Sequence, residues 1–411
     1  MMQEKFQNRY IFVAAAVVMQ LCLGNLYSWS IFKTPLMQSQ GWTSTEATVP
    51  FTLSIAFFAI GMIVAGRWQD RAGPRIVGIT GGVLLGVGFL LASWMGNSLL
   101  GLYFTYGILG GLGVGFAYVT PIATVVKWFP DMRGLMTGIA TLGFGAGALI
   151  GAPVGTRLIQ TVGVHETFLI FGVTFGLLVI LSASVLYNPP SNWSPPGWNP
   201  ESAETVAAGI SDITPGAMVK TLQFYLLWSI YLLGAGVGLM VISQAVPMGE
   251  ELAGVSAAAA AGLLGTMSIF NGLGRPAFGW ISDRIGRTNS LVIAFLLYLV
   301  ALMWILRTAS SPLMYTVGIS VIGFSYGGYL SLLPVRTADC FGTKNIGVNY
   351  GLIFSAYGVA GIAGPLIGAW VRETTGGWEN AFWIFSILSV VGIILSLLSQ
   401  LPSTQPKQDF S

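Results

Sequence analysis

Two side chains in the stretch FNGLGRPAF, residues 270–278, invite a chemical question. Asn271 precedes Arg275 by four residues, so in a helix both project from one face. A guanidinium presents a planar fork of donors that suits a carboxylate. The surrounding sequence is apolar, and an unpaired arginine in hydrocarbon costs about 2.5–3.5 kcal/mol even on lenient insertion scales. The bland reading pairs Arg275 with a protein acid or a backbone carbonyl. All 15 acidic residues, however, fall in expected loops or at the ends of expected helices. The natural counter-ion is then a bound anion. Asn271 either orients the guanidinium, contacts that anion, or makes a helix–helix hydrogen bond. Tyr118 and Tyr326 lie near the centres of two further apolar stretches. A phenol there offers a hydrogen bond to a carboxylate or hydroxyl and an apolar body to a methyl group. Simple packing aromatics with satisfied hydroxyls are the alternative. Cys22 and Cys340 are far apart and sit in no metal-binding or redox spacing. No cofactor or metal is expected. The single histidine, His165, falls in an expected loop and reads as incidental. No nucleophile–base constellation lies within the apolar stretches, so an enzyme is not expected.

The elements that must position these residues are membrane helices. Of 411 residues, 54% are hydrophobic and 8% charged, against about 25% charged in soluble domains. A net charge of +3 implies no nucleic-acid partner. The 55 glycines follow no collagen period and suit helices that approach closely in lipid. Twelve apolar stretches are long enough to span a bilayer, near 10–32, 47–66, 76–95, 99–126, 134–158, 166–187, 222–246, 256–281, 289–307, 312–335, 347–371 and 377–400. The first follows MMQEKFQNR and is too long for a cleaved leader, so it reads as a retained helix. A segment rich in Pro, Ser and Asn separates the sixth and seventh spans. It divides the chain into an N-terminal bundle (1–187), a linker (188–220) and a C-terminal bundle (221–411). With an internal N-terminus, thirteen basic residues fall on the cytoplasmic side and four outside. Both termini are therefore expected in the cytoplasm. The eighteenth basic residue is Arg275. It lies eight residues, roughly 12 Å of helix, before the loop residue Asp283, and so near mid-bilayer.

The halves repeat. GRWQDRAG (66–73) matches GWISDRIG (279–286) at an offset of 213. The same offset places Gly110 on Gly323, Pro121 on Pro334, Gly134 on Gly347, Gly138 on Gly351, Gly151 on Gly364 and Gly155 on Gly368. The chain is a duplicated six-helix unit, and both copies enter from the same side. Sites in such proteins lie near the midplane where the halves meet. GAGALIGAPVG (145–155) and GVAGIAGPLIG (358–368) read as small-residue packing faces.

The paired G-x-x-x-D-R-x-G loops, after the second and eighth spans of a twelve-span chain, resemble the major facilitator superfamily across essentially the whole length. LYSW (26–29), KWFPDMRGLMTG (127–138), NGLGRP (271–276), SYGGYLSLLP (325–334) and NYGLIFSAYG (349–358) are similar to the oxalate/formate antiporter family and its bacterial monocarboxylate relatives. Eukaryotic monocarboxylate symporters are similar more weakly. The resemblance implies an all-α membrane protein of twelve helices in two six-helix bundles related by a pseudo-two-fold axis. It implies Arg275 as ligand of the substrate carboxylate, and Tyr27, Tyr118, Tyr326 and Phe354 as cavity aromatics. The eukaryotic symporters carry an aspartate, implicated in proton coupling, where this chain has Asn271, and an asparagine cannot take up that proton. The oxalate transporter has a lysine where this chain has Tyr357. One fixed positive charge balances one carboxylate, and a dianion would leave charge uncompensated in a low-dielectric site. The expected substrate is therefore a monocarboxylate. Leu142 is a candidate apolar wall. Asp70, Arg71, Asp283 and Arg284 read as gates at which an aspartate faces a helix N-terminus and holds the bundles closed.

The expectation is a monomeric carrier in a bacterial inner membrane. It moves a small monocarboxylate such as lactate by alternating access, together with a proton. That proton travels on the substrate carboxylate or on the substrate–Arg275 pair. Exchange of one monocarboxylate for another is the alternative. A non-transporting anion sensor is a third reading, and no long cytoplasmic tail serves as its output.

Overall fold

The computed structural model describes residues 8–43, 46–190, 193–196 and 212–400. These residues form helices and turns and no strand. The long helices, in chain order, are α1 (Tyr10–Gln40), α2 (Val49–Ala72), α3 (Pro74–Met95), α4 (Leu99–Trp128), α5 (Arg133–Val162) and α6 (Val164–Ser184). The second half supplies α7 (Leu222–Ala253), α8 (Ala257–Ile285), α9 (Arg287–Leu306), α10 (Pro312–Phe341), α11 (Ile346–Thr375) and α12 (Glu379–Leu398). Eleven segments are long and apolar enough to cross a membrane. The 29-residue α8, which carries Asn271 and Arg275, completes the twelve.

Several helices outrun the apolar stretches that announced them. α1 continues through a 3-10 segment, Gly24–Ser28, and stops only at Gly41, whose φ is +71°. α7 runs to Ala253 and α10 to Phe341. Apolarity marks the hydrocarbon, whereas local backbone chemistry ends the helix. The starts carry that chemistry too. Thr221 and Ser311 accept hydrogen bonds from the backbone N–H groups of Phe224 (3.2 Å) and Met314 (3.3 Å), which satisfies donors with no intrahelical partner.

The final glycine of each D-R-x-G loop explains the motif's shape. Gly73 (φ +85°) and Gly286 (φ +89°) adopt a conformation costly for any residue with a Cβ. Each ends one helix and begins the next within a single residue, α2 into α3 and α8 into α9. The chain thus reverses on a sharp corner, with the preceding aspartate on the last turn.

Within the first half, α3 packs on α6 and α4, and α2 on α4. Within the second, α8 packs on α10, α7 on α11, and α9 on α12. Between the halves the main contacts are α5 with α8 and α2 with α11. Glycines set the separation. A Cβ on Gly66 would lie 2.2 Å from the Gly347 carbonyl oxygen, and one on Gly279 would lie 2.1 Å from that of Gly134. The two pairs are images of each other at the 213-residue offset, so the duplication appears in space as a two-fold arrangement of backbone contacts.

Residues 191–192 and 197–211 of the expected linker lie outside the described residues. Its far end is not free of the second half. The Ile213 N–H donates to Phe341 O (3.0 Å), and the Asn345 and Asn349 side chains donate to Ile213 O (3.2 and 3.1 Å). Met218, in the short turn Pro215–Met218, is fully buried.

Candidate functional site

Arg275 sits on α8 where that helix crosses α5 of the other half, and it is wholly buried. Glycines permit the crossing. A Cβ on Gly138 would lie 2.3 Å from Arg275 O, and one on Gly327 of α10 would lie 2.1 Å from Asn271 O. The guanidinium donates from Nη1 to the Thr141 carbonyl of α5 (2.8 Å) and from Nη2 to Asn271 Oδ1 (3.2 Å). Its Nε and the Asn271 Nδ2 are buried without a partner. Among the described residues, no ion pair includes Arg275. A full charge is therefore held by neutral groups, among them one carbonyl, one amide, the Tyr118 side chain and the face of Phe144, 5.8 Å from the guanidinium carbon. Such a group retains unmet demand for an anion.

Aromatic side chains surround it. Tyr27 of α1 meets Phe144 edge-on, ring centroids 5.3 Å apart, and Tyr118 of α4 does so at 5.0 Å. Tyr118 also neighbours Arg275 and Tyr350. Tyr326 of α10 donates to the Tyr357 hydroxyl (3.0 Å), which is also hydrogen-bonded to the Tyr27 hydroxyl across the halves. Phe354 stacks on Tyr357 at 4.8 Å. Tyr118, Tyr326, Phe354 and Tyr357 are buried and Tyr27 is partly buried. The structure thus brings Arg275, Asn271 and these five aromatics to one place. Leu142 follows Thr141 on α5, partly buried, outside the packed apolar core.

The site is asymmetric within a symmetric frame. At the 213-residue offset, Arg275 corresponds to Met62, Asn271 to Phe58 and Tyr357 to Phe144. Met62 and Phe58 are buried on α2, where Gly351 meets the Met62 carbonyl as Gly138 meets that of Arg275. One repeat contributes the charge and its amide, and the other contributes apolar surface.

At one end of the molecule the aspartates of the repeated loops join the halves. Asp70 of α2 accepts from the N–H groups of Gly347 (3.1 Å) and Val348 (2.9 Å), in the first turn of α11. Asp283 of α8 accepts from Gly134 (3.0 Å) and Leu135 (2.8 Å), in the first turn of α5. Each carboxylate caps unsatisfied donors and faces the positive end of a helix dipole. The second gate carries more charge: Arg287 bridges Asp283 and Asp339 (2.5 and 3.0 Å), and Arg133 pairs with Asp339 (3.0 Å). Among the described residues, Asp70 pairs with Lys127 alone, at 4.0 Å. Arg71 is exposed, and Arg284 lies over its own helix's Trp280 at 3.8 Å, so the two motif arginines do not bridge the halves as the aspartates do.

Comparison with known proteins agrees with this architecture. The family model of the Major Facilitator Superfamily matches residues 12–365 and 230–410. The chain belongs to this superfamily. It is 30% identical to an oxalate:formate antiporter of Oxalobacter formigenes over 95% of this chain and 91% of that one. It is 27% identical to monocarboxylate transporter 12 of Mus musculus over 89% and 78% of the two chains. Among solved structures, the superfamily transporter FucP in the outward conformation superposes with a TM-score of 0.75 at 16% identity, over 96% and 99% of the chains. This protein is accordingly a multi-pass membrane transporter, not an enzyme.

Several residues of the site escape a reading of the sequence. The Thr141 carbonyl has no signature, because every residue carries one. Phe144, Phe58 and Tyr231, the last of α7 and packed edge-on against Phe354 at 5.8 Å, are aromatics in apolar helices like many others. Tyr350 was legible: it stands four residues before Phe354 and seven before Tyr357, on one helical face. The Asp339–Arg133–Arg287 cluster joins the ends of three helices and needs the fold to assemble it. His165 donates from Nε2 to Asn97 Oδ1 (2.9 Å), away from the site.

Proposed function

We propose that the protein carries small monocarboxylates such as L-lactate across a bacterial inner membrane, with a proton, by alternating access. One observation carries this reading: a fully buried arginine at the meeting of the halves, with a carbonyl and an amide as partners but no carboxylate among the described residues. A single substrate carboxylate supplies the missing charge. Tyr357 adds a neutral hydroxyl rather than a second cation, which favours a monoanion over a dianion. The tyrosines close around the organic part. With both termini in the cytoplasm, the end closed by Asp70 and Asp283 is cytoplasmic and the molecule faces outward. Among the described residues no acid pairs with Arg275, and arginine does not readily deprotonate, so the proton moves on the substrate or on the substrate–Arg275 pair. A monomer suffices, because both halves of the site lie in one chain.

Uptake of radiolabelled L-lactate into proteoliposomes tests this. It rises when the outside is acidified and is abolished in Arg275→Ala. Uptake that survives this substitution overturns the reading. The 30% identity to a protein named as an antiporter favours a second reading, exchange of one monocarboxylate for another. Preloaded vesicles separate the two. A protonophore collapses gradient-driven accumulation by a symporter but leaves one-for-one exchange intact.

A further inference from the structure

Arg275 belongs to the second half, and the carbonyl that holds it belongs to the first. Its Nη1 bond is therefore a tie between the halves. Within a helix a carbonyl oxygen normally serves one N–H, and its second lone pair is screened by neighbouring side chains. A helical side chain covers the turn N-terminal to its own Cα. The residue whose side chain would cover the Thr141 turn is Gly145, which has none. A Cβ built there would lie 2.9 Å from Asn271 Oδ1, 3.2 Å from the Gly272 Cα and 3.4 Å from Arg275 Nε. Gly145 thus leaves the carbonyl open and lets the Asn271–Arg275 pair seat against α5.

We infer that the Arg275–Thr141 carbonyl bond is a latch that keeps the empty protein closed at its Asp70/Asp283 end, that the substrate carboxylate releases it by taking over Nη1, and that Gly145 is the positioning residue that makes it possible. The inference rests on the reading of Arg275 as the carboxylate ligand. A neutral carbonyl suits this role better than an acid. It holds the guanidinium in place without a charge that a monocarboxylate would have to outcompete. Release of the latch then leaves the two aspartate caps, the Arg133–Asp339 ion pair and the glycine contacts among the remaining ties at that end.

Spin labels on Ala72→Cys and Asn289→Cys, exposed residues of opposite halves at that end, report its opening in a background lacking Cys22 and Cys340. The empty protein is expected to show one short distance, and saturating L-lactate a second, longer one. Gly145→Ala is expected to raise the long-distance population of the empty protein about tenfold, the worth of a charge-assisted hydrogen bond. Arg275→Ala, which removes the donor, does the same and guards against a Gly145→Ala protein that fails to fold. A short distance in both empty variants, matching the unsubstituted protein, overturns the latch. Lactate titration of the same unsubstituted sample keeps the two ideas apart. Absence of lactate binding sinks the substrate reading, whereas the empty-state distances judge the latch alone.

Discussion

At position 357 a neutral phenol bridges the Tyr27 and Tyr326 hydroxyls in the aromatic cluster around Arg275. A cation there would change which anions the site tolerates, because each buried charge needs its own partner. Tyr357→Lys should therefore admit oxalate as a competitor of lactate uptake and weaken lactate itself by about tenfold, the order of one or two lost hydrogen bonds. Competition assays in proteoliposomes check both effects. Unchanged exclusion of oxalate would contradict the one-charge argument. Arg275 itself could be found in the sequence by elimination, since every acid falls in an expected loop or at the end of an expected helix. What holds it could not. Thr141 acts through a backbone atom, and Gly145 acts through the absence of one, so neither has a residue type that announces the role. Leu142, a candidate apolar wall, is half-buried on α5, and Phe144, two residues on, contacts both tyrosines and the guanidinium.

Among the elements, the helix ends were the least legible and the repeats the most. The 213-residue offset is written in glycines, and the same glycines touch across the halves, Gly66 with Gly347 and Gly134 with Gly279. Which aspartate caps which helix is not written there, because the partners lie 277 and 149 residues apart. The two gates also differ in strength. Asp283 is embedded in a network with Arg287, Arg133 and Asp339, while Asp70 has its two N–H donors and a distant Lys127. Removing Asp70 costs the closed end its two caps on α11, about 1–2 kcal/mol on the scale of helix capping. Asp70→Ala should accordingly speed alkylation of a Ser282→Cys thiol, buried at this end, by roughly five- to thirtyfold. An unchanged rate would show that Asp70 carries no share of the closure. At the aqueous margin, the Asp131 carboxylate binds both guanidinium nitrogens of Arg9 at 2.6 Å and raises its pKa above the ordinary arginine value, which anchors the start of α1 to the α4–α5 turn.

In the whole molecule, two halves built on one repeat enclose a site whose arginine belongs to one of them. The frame can rock symmetrically because its closures are images of each other, Asp70 on α11 and Asp283 on α5. On the proposed reading, the substrate breaks that symmetry by binding the half that carries Arg275 and packing against the aromatic surface of the other. That division keeps the expensive group in a single place, and it makes the occupied site a bridge between halves. Direct titration of L-lactate into the purified protein tests the central claim without reliance on coupling, direction or membrane orientation. The unsubstituted protein should bind one lactate per chain, and Arg275→Ala should weaken binding at least ~100-fold, the order expected when one partner of a buried charged pair is removed. Equal affinity in the two proteins would place the carboxylate elsewhere and contradict the account.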